Sequence, residues 1–82
     1  MQSLQIDNDA TDLLGQGTPF LPGSTLVVTG ANGLVIQGSD DEAFTSPVTL
    51  TTISAANAFE TFVASYRYIR VSTAANAWLL NN

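Results

Sequence analysis

Three of the chain's seven acidic residues stand together in the stretch Gln37-Gly38-Ser39-Asp40-Asp41-Glu42-Ala43-Phe44. Carboxylates this close could hold a hard cation such as calcium, which takes oxygen ligands. An EF-hand, however, spaces its ligands at alternate positions, and adjacent side chains on an extended segment point to opposite sides. An acid pair for glycoside hydrolysis would need a second carboxylate from a distant segment, and Asp40 with Glu60 is the pairing available. The reading we adopt is plainer: Ser39 and Asp40 bond to the backbone and fix a turn. No metal and no cofactor is expected. The chain has no histidine and no cysteine. It thus lacks the usual general base, nucleophile and transition-metal ligands, and we expect it not to be an enzyme.

The second group with chemical potential is Tyr66-Arg67-Tyr68-Ile69-Arg70-Val71. On a strand, Arg67, Ile69 and Val71 share one face, and Tyr66, Tyr68 and Arg70 the other. Tyrosine and arginine together are typical of binding surfaces, and equally at home on a half-covered sheet face. Tyr66, Tyr68 and Arg70 are therefore candidate interface residues. Either arginine has Asp40, Asp41 or Glu60 as a possible ion-pair partner. Trp78, the sole tryptophan, is either a core plug or an exposed platform for a sugar ring.

The elements that must position these groups read as strands and turns. Leu4 and Ile6 alternate with polar neighbours and suit a short strand. Prolines and glycines then crowd residues 15–23 and argue against helix. Residues 1–23 read as an N-terminal arm with short strands, and residues 24–82 as the sandwich domain. Leu13, Leu14, Phe20 and Leu21 are the arm's apolar anchors if it lies across a neighbouring subunit. The equal alternative is that the segment packs on its own sandwich as an edge strand. Strands follow at 25–29, 34–37, 48–53, 59–63, 66–72 and 77–80. Asn32-Gly33 predicts a type I′ hairpin between the first two of these. LVVTGANGLVIQG and IRVSTAANAWLLN echo one another and read as two similar hairpins. Ser54–Phe62 is a weaker, alanine-rich helix alternative. The inward set predicted from alternation is Leu26, Val28, Leu34, Ile36, Val48, Leu50, Val63, Ile69, Val71 and Leu79. The fold class is all-β, a small antiparallel sandwich of jelly-roll-like type.

Charge excludes several partners. The net charge is −5, there is no lysine, and Arg67 and Arg70 are the only cations in the sequence. Two cations make no phosphate-neutralising patch, so nucleic acid is not an expected partner. Anionic membrane surfaces are excluded by the same argument. No apolar run approaches the roughly 20 residues of a membrane span. The start, MQSLQIDNDATDLL, lacks the basic and apolar regions of a signal peptide, so synthesis in a cytoplasm is expected. Without lysines to guard its strand edges, the chain is weakly protected against association.

Taken in order, LVIQGSDDEAF, VTLTTI and YRYIRVSTA resemble the pattern of discoidin-like (coagulation factor type C) sandwiches. They are also similar to runs in the short, Ser/Thr/Ala-rich structural proteins of tailed bacteriophages, which lack histidine and cysteine. The resemblance covers residues 25–80. It implies a jelly-roll-like sandwich with a virion structural role, that of a capsid decoration (cement) protein. The location implied is the capsid surface, after synthesis in the host cytoplasm. The implied partners are the major capsid protein and further copies of the chain, as a trimer or dimer. One alternative is a carbohydrate-binding or receptor-binding module, whose mark would be Trp78, Tyr66 and Tyr68 on one exposed face. Another is a head–tail or tail accessory protein.

Overall fold

Apolar residues at alternate positions bury one side of each strand, and that alternation organises the chain into two facing sheets. A computed structural model describes residues 2–30, 33–54, 58–72 and 77–81. Its strands are β1 (Gln2–Ile6), β2 (Thr11–Asp12), β3 (Thr25–Gly30), β4 (Val35–Ser39), β5 (Val48–Thr52), β6 (Ala58–Val63), β7 (Tyr68–Val71) and β8 (Ala77–Asn81). The first sheet runs β1-β8-β3-β6 and the second β2-β7-β4-β5. All pairings are antiparallel. Strand β1 thus pairs with β8, β2 with β7, β3 with β6 and β4 with β5. This is the order of a ribbon doubled back at β4–β5 and rolled up, which is a jelly roll. The all-β sandwich expected from the sequence is the fold observed.

The hairpins expected on either side of the sandwich are not formed. Strand β3 lies in the first sheet and β4 in the second, so the Asn32-Gly33 connection crosses between sheets. The same holds for β7 and β8 in the second echo segment. Asn32 and residues 73–76 lie outside the described residues. The physical reason is burial. A hairpin would put β3 and β4 side by side in one sheet. Crossing instead sets Leu26 and Val28 of β3 across the interior from Ile36 of β4, and all three are fully buried. Gly33 still takes the left-handed conformation that its turn needs, with φ at +83°. Its amide donates to the Ile53 carbonyl at 2.7 Å, and the Ile53 amide donates to the Leu34 carbonyl at 2.8 Å. Only β4 and β5, among the described strands, are joined within one sheet.

Seven of the ten predicted inward residues are buried, and Leu50 packs against the core from its edge. Val48 and Val63 are exposed instead. In β6 the neighbours Phe62 and Val63 are both apolar, and the larger side chain takes the inward position. Val48 sits on the edge strand β5.

The segment 2–23 is built into the sandwich rather than held apart from it. It gives one strand to each sheet, and Ile6, Leu13 and Phe20 join the common core. Asp12 accepts from the Leu14 amide at 3.0 Å and so caps the 3-10 turn Leu13–Gln16. The Leu13 amide donates to the Arg67 carbonyl at 2.8 Å. Ile6, Leu13 and Phe20 enlarge a core that is otherwise small, which is why the segment folds inward. Of its four expected anchors, Leu13 and Phe20 are buried, Leu21 is half-buried and Leu14 is exposed. Accordingly, Leu13→Ala should cost about 2–5 kcal/mol in urea unfolding, as a buried leucine does. Leu14→Ala should stay within about 0.5 kcal/mol. Equal small losses would mean that the segment is not part of the core.

Candidate functional site

The acidic stretch forms the β4–β5 connection, and its own side chains organise it. The Asp41 amide donates to the Ser39 hydroxyl at 3.0 Å. The Asp41 carboxylate accepts from the Ala43 amide at 3.1 Å and from the Thr45 hydroxyl at 2.6 Å. The Phe44 amide donates to the Asp41 carbonyl at 2.9 Å. A turn fixed by side-chain-to-backbone bonds is what the sequence suggests, but Asp41 does the work expected of Asp40. Among the described residues no group of three acidic side chains is arranged to hold a metal ion. Glu60 lies on β6 in the other sheet and accepts from the Ser54 hydroxyl at 3.0 Å. Asp40 and Glu60 are therefore not brought together as an acid pair.

The Thr45 hydroxyl and then the Ala43 amide hold the Asp41 carboxyl below its ordinary range. A depressed folded-state pKa gives stability that is present above the unfolded value and lost as pH falls through the folded one. The loop should therefore loosen on acidification below about pH 4. Asp41→Asn should flatten that acid limb in a pH series of urea midpoints. An unchanged limb would mean that the loop bonds contribute nothing.

This loop folds back over the outer face of the second sheet. Phe44 is buried, yet it does not belong to the cluster between the sheets. Arg70 alternates with the inward residues Ile69 and Val71 and so faces outward. Its guanidinium stands 4.3 Å from the Phe44 ring centre, and its Nε donates to the Gln37 amide oxygen at 3.0 Å. Phe44 thus seals the outer face beneath Arg70. Neither arginine pairs with the expected acids. Arg67 makes a two-point ion pair with Asp12, at 3.0 and 2.9 Å, and its guanidinium lies 5.1 Å from the Tyr68 ring centre. Strand β7 begins only at Tyr68, so Tyr66 and Arg67 escape its alternation. Tyr66 packs over Gly38 and borders a shallow depression with Ser39, Asp41, Thr45 and Val48. Tyr66, Tyr68 and Arg70 are each half-buried.

The first sheet presents the opposite case. Register places Gln5, Trp78, Thr29 and Phe59 in one row across its outer face, and Ser3, Leu80, Val27 and Thr61 in the next. Val63 follows, beside Thr25. Phe59 is 68% exposed, Val63 51% and Trp78 39%. Among the described residues no charged side chain lies on this face. Asp7 and Asp9 belong to the β1–β2 connection, Asp12 and Arg67 pair beside the second sheet, Asp40, Asp41 and Glu42 occupy the loop, and Arg70 is on the second sheet. Glu60 shares the inward side of β6 with Phe62. Trp78 therefore stands on one outer face and Tyr68 on the other.

Sequence reasoning singled out the tyrosine–arginine face, which proves partly covered, and missed this one. The available signal was β8, where Trp78 and Leu80 flank the inward Leu79 and leave apolar residues on both sides. A strand with little polarity on either side is one whose outer face resists hydration. In comparisons with known proteins, no family model, no curated protein and no solved structure matches the chain.

Proposed function

We propose that this chain is a non-enzymatic structural protein of a virion, a capsid decoration (cement) protein that works by association with other protein surfaces. The observation that supports this reading is the outer face of the first sheet. Among the described residues it carries no charge and exposes Phe59, Val63 and Trp78 between threonines, whereas the acidic loop partly covers the other face. Large apolar side chains exposed together on one face mark association sites on small domains. The resemblance of residues 25–80 to phage structural proteins supplies the setting and the major capsid protein as partner. Quantitative mass spectrometry of purified virus particles tests the reading. A copy number near that of the coat subunit is expected. A few copies per particle would move the chain to the head–tail region or tail. Complete absence from particles would overturn the virion role.

A carbohydrate-binding module is the second reading, and one observation favours it. Trp78 and Phe59 lie in one row with Thr29 between them, two strand spacings or roughly 9.6 Å apart. Tyr66 and Tyr68, expected beside Trp78, belong to the other side of the sandwich, which leaves that platform with two rings.

A further inference from the structure

We infer that the outer face of the first sheet binds a second copy of this chain, sheet against sheet, about a two-fold axis. The inference rests on the association reading above and names the partner of that same face.

Charge selects the occupant. The chain carries seven acidic residues and two arginines, so two copies repel wherever their acids approach. All of those charges lie off this face. A partner recognised by electrostatic steering would meet nothing there to steer it. A second copy meets Phe59, Val63, Trp78, Leu80 and Val27, set among threonines, Ser3 and Gln5, with no buried carboxylate on either side. A two-fold contact is self-complementary, so one apolar patch supplies both halves.

Shape and area agree. Two sheets pack face to face at about 10 Å with strands within about 30° of each other, the arrangement already used inside the molecule. Four strands at the usual spacing give a face of roughly 19 by 18 Å. With its side chains such a face buries on the order of 500 Å² per copy, near the lower bound of a specific interface. The dimer is therefore reversible, with dissociation in the micromolar range or weaker.

Trp78 is the only tryptophan in the sequence and stands within this face, so it reports on the contact directly. The experiment is sedimentation of the full chain from about 1 μM to about 1 mM, with tryptophan emission read over the same dilution series. The expected result is a monomer–dimer equilibrium whose dissociation shifts the emission to the red. Phe59→Asp should abolish the dimer, weakening association at least about 100-fold, since each interface would then bury two unpaired carboxylates. Thr49→Asp, on the exposed edge strand of the second sheet, should leave dimerisation unchanged. A monomer at every concentration would overturn the inference. So would a dimer that survives Phe59→Asp, or one whose dissociation leaves the Trp78 emission unmoved. An emission that responds to added polysaccharide but not to protein concentration would overturn it in favour of the sugar platform. If Phe59→Asp does not fold, the wild-type dilution series decides alone. A dimer found for a chain absent from particles would keep this inference and sink the virion reading. A monomer bound in particles would do the reverse.

Discussion

Replacing Phe44 by alanine is expected to lower the melting temperature by roughly 12–24 °C, from a loss near 3 kcal/mol. Phe44 is 5% exposed but stands outside the core between the sheets. It covers the second sheet from without and carries the Arg70 guanidinium on its ring. A buried phenylalanine replaced by alanine usually costs about 3–5 kcal/mol, and a site near the surface belongs at the low end because water enters the gap. The backbone adds a second test. Phe44 has φ at +54°, in the left-handed region where a side chain costs about 1–2 kcal/mol. Alanine keeps that strain and glycine removes it. Phe44→Gly should therefore be no less stable than Phe44→Ala, although it is the smaller residue. Thermal melts of the three proteins by circular dichroism measure this. An alanine variant melting within about 3 °C of wild type would show that the loop is no cap.

Gly38→Val is the second large expected loss, about 3 kcal/mol or more in urea unfolding. A Cβ at Gly38 would stand 2.9 Å from Leu50 Cδ1 and from Tyr66 Cδ2, and 3.1 Å from Tyr66 Cβ. The leucine tip can swing aside. The Tyr66 Cβ cannot, because it is bound directly to the backbone. Valine adds two further methyl groups into the same space. Gly38→Ala should cost about 1–3 kcal/mol for its single methyl. Gly33→Ala is the contrast, since nothing lies within 4 Å of its would-be Cβ and only its positive φ opposes the change. A chain of this size has total stability of roughly 4–12 kcal/mol, so the valine variant should lose between about a quarter and three quarters of it. A neutral Gly38→Ala would mean that Tyr66 is not seated over the strand.

What the sequence disclosed follows from where alternation is clean. Ile69 has more polar neighbours on both sides, Val71 likewise, and Leu26 and Val28 are each flanked by a threonine; all four are buried as expected. Alternation fails in Ala-Phe-Glu-Thr-Phe-Val, where Phe59, Phe62 and Val63 compete for the interior. The structure resolves it by placing Phe62 inward, and the exposed face of the first sheet follows from that one choice. Pairing was less legible than strand position. Asn-Gly is a local signal for reversal, but whether a reversal closes a hairpin or crosses to a facing sheet depends on distant partners. The acidic loop was read correctly as a turn, whereas its second task was hidden. Nothing local to Asp40-Asp41-Glu42-Ala43 indicates that Phe44 will reach Arg70.

The nested pairing of the strands also sets an order in time. Only β4 and β5 meet through a short loop; β3 and β6 must close a longer one, and β1 and β8 bring residues 2 and 81 together. The entropy of closing a loop grows with its length, and each pair once formed shortens the effective loop for the next. Assembly is therefore expected to zip outward from the Ser39–Thr45 turn and to be slow, as chains dominated by distant contacts are. Asp41→Asn should slow refolding, whereas Leu79→Ala should mainly speed unfolding. The reverse pattern in stopped-flow chevrons would place the nucleus elsewhere. On the expected pattern, the acidic stretch is where the chain begins to become a protein.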